Sequence, residues 1–212
     1  MKSSIFIISI LFILSFSSCE DDTVSPDTDS DFYPLAIGNS WIYNLKTFDS
    51  TGVLISETQI EEKLPSAEFR DSRLVYEFDT DLWHVHNDKL FLQAISDGLH
   101  IFIGSAAGND IQEDNLLFKY PCKENEIYTN GRNNQDTTIV ISLSDTVVCA
   151  AGTFNCIVYK DIIMEGDNLV GYAYDYVSYG VGKIKTEIYR KYYNQEFIKN
   201  ADMSLNSYVI NN

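Results

Sequence analysis

The chain has 212 residues, with 31 acidic against 15 basic side chains and a formal net charge of −16. A surface of that sign repels a phosphate backbone, which excludes a nucleic-acid-binding role. Fourteen tyrosines and twelve phenylalanines stand beside four prolines, and no run is rich in Ala, Leu, Glu and Lys, so the composition favours strands over helices.

The first segment carries Lys2, then an apolar run from Ile5 to Phe16 broken by Ser9 and Ser15, then Ser17 and Ser18 ahead of Cys19. Basic start, apolar centre and small residues at a cut site are the layout of a secretory signal. The run is about 12 residues where a spanning helix needs about 20, so residues 1–18 are expected to be removed rather than kept. Phe16-Ser17-Ser18-Cys19 resembles the lipobox of bacterial lipoproteins, with Phe where Leu or Val is usual. The resemblance makes Cys19 the lipidation site and membrane lipid its partner, since each buried acyl methylene contributes about 0.8 kcal/mol of anchoring. The alternative is a secreted protein with Cys19 in a disulfide, but Glu20–Asp31 offers that cysteine nothing to fold against. This segment has six acids, one proline and Val24 as its single apolar side chain, which is the composition of a disordered tether. It reads either as a solvated spacer or as an acidic patch similar to those that send lipoproteins of the Bacteroidetes type to the outer face of the outer membrane.

Loss of Lys2 and of the six tether acids leaves −11 on residues 32–212, enough chain for one domain with a core. Trp41–Phe48 and Val53–Lys63 alternate on either side of Asp49-Ser50-Thr51-Gly52, which predicts a hairpin. Leu74–Phe78 and Leu82–His86 read as strands. Lys89–Ile95 and Leu99–Ile103 flank Ser96-Asp97-Gly98, a second hairpin. Ser105–Asn115 is polar and contains glycine, so it reads as a loop. Thr137–Cys149 and Phe154–Met164 flank Ala150-Ala151-Gly152-Thr153, a third hairpin. Glu165–Asn168 turns into Leu169–Val177, Lys183–Tyr193 follows a glycine elbow, and Ser204–Ile210 closes the chain. The expected fold is mainly β with little helix: a strongly curved antiparallel sheet or half-open barrel built from hairpins. Tyr33-Pro34-Leu35 through Tyr43 is echoed by Tyr120-Pro121-Cys122 through Tyr128, which suggests two related halves, 32–115 and 116–212, with Cys122 in the place of a core Leu35.

Phe32-Tyr33-Pro34-Leu35 through Gly38-Asn39-Ser40-Trp41, then Ala151-Gly152-Thr153-Phe154, then Tyr179-Gly180-Val181-Gly182-Lys183-Ile184-Lys185, resemble segments found in this order in uncharacterised Bacteroidetes-type lipoproteins. Their domain is similar to that of lipoprotein-localisation-factor proteins. The resemblance implies a curved antiparallel sheet and an envelope location, and it brings no catalytic residues.

Cys122, Cys149 and Cys156 remain in the domain, and export permits one disulfide among them with one thiol left over. Their pairing stays open. His84, His86 and Asp88 would share a strand face, with His100 as a possible third imidazole, but Asp88 reads as part of a turn and a polar strand face is the preferred reading over a metal site. Gly180-Val181-Gly182-Lys183 lacks the third glycine, the Ser or Thr and the helix of a phosphate loop, so it reads as an elbow. Asp79 and Asp81 are discounted as a carboxylate pair in so acidic a chain. Tyr172, Tyr174 and Tyr176 alternate as a cross-strand aromatic ladder would, or as a sugar- or lipid-holding face.

The sequence therefore points to a non-enzymatic envelope lipoprotein, without catalytic residues, metal or cofactor. Its domain would bind an apolar ligand or a protein partner, with a cell-surface interaction module as the alternative. If Cys19 is the anchor, Cys19→Ala should move the protein from the membrane to the soluble fraction; continued membrane association of that variant would remove the assignment.

Overall fold

The computed structural model describes residues 32–82, 88–105, 108, 110–130, 136–192 and 196–211. The expected signal, Cys19 and the tether lie outside these residues, as do His84 and His86.

Alternation dictates the architecture. In β1 (Ser40–Phe48), Trp41, Tyr43 and Leu45 point to one face and Asn44 and Lys46 to the other. The turn after it is built by Asp49, whose Oδ1 accepts from the Thr51 amide at 2.8 Å and the Val53 amide at 3.0 Å, leading into β2 (Leu54–Lys63). The short β3 (Ala67–Arg70) pairs with β4 (Arg73–Thr80). There follow β5 (Asp88–Ile95), β6 (Gly98–Ser105), β7 (Ile111–Lys119), β8 (Ile127–Asn130), β9 (Asp136–Cys149), β10 (Gly152–Glu165), β11 (Asn168–Ser178), β12 (Gly182–Lys191) and β13 (Phe197–Val209). No helix occurs among the described residues.

Twelve of the strands form one path, β7-β6-β5-β4-β2-β1-β13-β12-β11-β10-β9-β8, in which every neighbouring pair is antiparallel, and it curls into a nearly closed barrel. The seam lies between β7 and β8. Side chains bridge it: the Tyr128 hydroxyl donates to the Leu117 carbonyl at 3.1 Å, the Tyr159 hydroxyl donates to the Lys119 carbonyl at 2.8 Å, and the Lys119 ammonium meets Glu126 at 2.7 Å. These contacts occupy polar groups on the edge strand and its flank that would otherwise invite another chain.

One end of the barrel is solid. Tyr33, Trp41, Tyr43, Leu64, Leu99, Phe118, Tyr159, Ile184 and Leu205 pack there as a single cluster, and Phe32 stacks on Tyr120 at 4.3 Å. The start of β6 needs glycine: Gly98 has φ +142°, and a Cβ there would sit 2.1 Å from the Phe118 carbonyl oxygen. A small second cluster of Val75, Phe91 and Phe102 lies on the outer face, roofed by the Arg70 guanidinium 4.2 Å over the Phe91 ring.

The three predicted hairpins are present. The polar stretch read as a loop becomes β7 from Ile111 onward, because Glu113 and Asn115 stand in the inward phase opposite Ile103 and Ile101. Asp88 opens β5 opposite Ser105 rather than sitting in a turn. Leu82 is in a turn, and the rest of the strand expected over Leu82–His86 lies outside the described residues. β3 and β8 had no sequence counterpart, and β13 begins at Phe197 rather than Ser204.

Candidate functional site

Toward the other end of the barrel the inward side chains become shorter and cease to meet. Leu45, Phe78, Ile103, Leu117, Ile163 and Ile188 all face inward yet are half-buried rather than buried, because they line a hollow of about 510 Å³. That volume lies within the range of about 300–1,000 Å³ typical of small-molecule sites. Most of the wall is aliphatic, completed by Leu90, Leu92, Ile101 and Met203.

A polar cluster interrupts the wall where the hollow meets the solid end. Glu62 follows Ile60 in the inward phase of β2 and is 2% exposed. Its Oε1 accepts from the Lys183 ammonium at 3.0 Å. Lys183 reaches this place because β12 carries a bulge: Val177 pairs with Lys183 and Tyr176 with Lys185, leaving Ile184 as the extra residue, so that Lys183 and Ile184 both turn inward. Asp175, in phase with Ala173 and Val177 on β11, accepts a short hydrogen bond from the Thr186 hydroxyl. The Tyr43 hydroxyl lies beside Glu62 but donates to the Lys183 carbonyl at 3.0 Å. Glu62 Oε2 is buried and accepts no hydrogen bond from the protein.

The charges hold one another. Burial opposes the Lys183 charge, but the Glu62 and Asp175 carboxylates outweigh it and raise the ammonium above its ordinary pKa of 10.5. Burial raises Asp175 above its ordinary 3.8; Lys183 and the Thr186 hydrogen bond pull it down, and Glu62 adds to the rise. Burial, with the Glu62 charge next, also pushes the Tyr33 and Tyr43 phenols upward, so both stay neutral. Glu113 and Asp161 add two further carboxylates to the wall, the latter accepting from the Thr138 hydroxyl.

The residues singled out from sequence lie elsewhere. The three described cysteines carry free thiols: Cys156 is buried, and Cys122 and Cys149 are half-buried. Cys122 packs against the core as its counterpart Leu35 does, with its sulfur 3.8 Å from the Tyr159 hydroxyl. Burial raises the Cys122 thiol, and burial pushes the Cys156 thiol up to about 12, so neither is a ready nucleophile. His100 is held on the outer face between Asp114 at 2.7 Å and Asp97 at 3.0 Å. Among the described residues no group of three or more His, Cys, Asp or Glu is arranged to hold a metal ion. Asp79 pairs with Lys63 at 3.4 Å and Asp81 accepts from the Glu61 amide at 2.9 Å; neither lines the hollow. Gly180-Val181-Gly182 is an elbow, its Val181 carbonyl accepting from the Trp41 indole at 2.6 Å. Tyr172 and Tyr174 stand on the outer face as a cross-strand ladder, Tyr172 stacked on Tyr189 at 4.9 Å and capped by the Lys160 ammonium at 4.6 Å.

No protein-family model and no curated protein matches the chain. Two crystal structures share its fold distantly. One, from Bacteroides fragilis, is described as an exported protein with a YmcC-like fold; it superposes with a TM-score of 0.45 at 16% identity over 84% of this chain and 99% of that one. The other, from Parabacteroides distasonis, is described as a lipoprotein; it superposes with a TM-score of 0.41 at 16% identity over 84% of this chain and 98% of that one.

The buried charges can be separated experimentally. Lys183→Met leaves two buried carboxylates without their cation and should cost about 3–5 kcal/mol of unfolding free energy at neutral pH. That cost should shrink as the pH falls and Asp175, raised by burial, takes up its proton. Asp175 binds its proton more tightly folded than unfolded, so it weakens the fold as pH rises from 3.8 through its folded value. Asp175→Asn removes that dependence and should gain stability relative to the parent over the same interval. Denaturant titrations at a series of pH values check both; differences constant with pH would contradict the assignment.

Proposed function

We propose that the protein is a non-enzymatic envelope lipoprotein, anchored through Cys19 in the outer membrane, whose barrel holds an apolar ligand. The observation that carries this reading is the aliphatic hollow of about 510 Å³ toward one end of an otherwise solid barrel. Inward side chains that stay half-buried are an unmet packing demand, and an apolar guest that covers them gains about 25 cal/mol per Å² removed from water.

The non-enzymatic part of this reading is supported by the chemistry of the described residues. The buried carboxylates face a lysine that they keep protonated, and none of the described cysteines lines the hollow. A surface role for the tyrosine ladder is less well supported. Tyr172 and Tyr174 contact each other, Tyr189 and the Lys160 ammonium, which already cover much of the face a sugar ring would need.

The uncharged fluorophore N-phenyl-naphthylamine should brighten on binding the protein. Ile103→Trp, which fills the hollow, should weaken that binding by about 10-fold, whereas Ile55→Trp on the outer face should leave it unchanged. No binding, or equal effects of the two substitutions, would overturn the reading.

A further inference from the structure

The hollow is apolar along most of its wall but not neutral. Among the described residues the carboxylates of Glu62, Asp175, Glu113 and Asp161 line it, and Glu62 and Asp175 stand beside the ammonium of Lys183. Glu62 is the most deeply buried of these, and half of its hydrogen-bonding capacity is spent: Oε1 holds Lys183, while Oε2 is buried with no donor from the protein. A carboxylate oxygen so placed carries the full desolvation cost of an unmade hydrogen bond, so a donor that reaches it gains more than it would at the surface. Asp175 stands in the same cluster with one hydrogen bond, from Thr186.

The sign of the cluster selects the ligand. A guest with a carboxylate or phosphate head would bring another negative charge beside Glu62 and Asp175, with Lys183 already engaged. A guest with an N–H-bearing cation would supply both the missing donor and the missing charge. Apolar surface for the chain lies next to this point, in Leu45, Leu92, Ile188 and Met203. We propose that the natural ligand is an amphiphile with a hydrocarbon chain and a protonated amine head, the amine seated on Glu62 Oε2 and shared with Asp175. This rests on the apolar-ligand reading above and adds the class of head group.

The test compares decylammonium, decanol and decanoate by calorimetry on the full chain carrying Cys19→Ala, which keeps attached lipid tails out of the measurement. Equal chains make the head group the sole variable. Decylammonium should bind about 10-fold or more tighter than decanol, with decanoate weakest. Glu62→Gln and Asp175→Asn should each bring the ratio of amine to alcohol below about 3-fold. The comparison on the parent chain stands even if a variant fails to fold. Equal binding of amine and alcohol, as expected of a carboxylate that water alone satisfies, or preference for decanoate, would overturn the head-group assignment and leave the apolar hollow intact. Failure of all three probes and of the uncharged fluorophore would overturn the apolar-ligand reading itself.

Discussion

A sheet that curls on itself must fill the space it encloses, and the width of that space grows with the number of strands. About eight strands give an interior that side chains just fill. Here twelve strands form the path, and among the described residues one end of the barrel is rich enough in large rings to close the gap. Trp41, Tyr43, Phe118 and Tyr159 span it there, joined by Tyr33 from the segment that precedes β1. Farther along the same strands the inward positions hold Leu45, Ile163, Ala173, Ile188 and Ala201, which are too short to meet. The hollow follows from that gradient of side-chain size, and the seam of Tyr128 and Tyr159 keeps it from collapsing into a flatter sheet.

The position of the charged cluster follows from the same gradient. Buried ions are costly unless they are paired, and a pair in a fully packed core is often replaceable by apolar residues without loss. At the border between solid core and hollow, Glu62, Lys183 and Asp175 are desolvated on one side and face the ligand space on the other. In the proposed function they discriminate between guests, which an aliphatic wall by itself does weakly. The bulge in β12 links fold and site, since unbroken alternation with Ile184 inward would carry Lys183 to the outer face.

Much of the sheet was legible before the structure, because alternation and turn chemistry agree. Asp49–Gly52, Ser96–Gly98 and Ala150–Thr153 each join two alternating runs, and each is a hairpin. β7 was hidden by the feature that gives it a role: Glu113 and Asn115 occupy inward positions that alternation assigns to apolar residues. β3 and β8 are too short to show a period. Within the site, Glu62 and Asp175 carried a signal, as acids in phase with Ile60 and Leu64 and with Ala173 and Val177. Lys183 carried none, because a bulge breaks the period at that residue. The tyrosine ladder was read from spacing alone and stands across β11 and β12 as spacing requires.

The account turns on whether the hollow, rather than the outer face, takes a hydrocarbon chain. Methyl-resolved NMR of the protein titrated with decane tests this most directly, since Ile103, Ile188 and Met203 face inward while Ile55 and Val148 are exposed outside. The inward methyls should shift together along one saturable isotherm and the outer ones should stay in place. Saturable shifts confined to the outer methyls, or no shift at the inward ones, would contradict it.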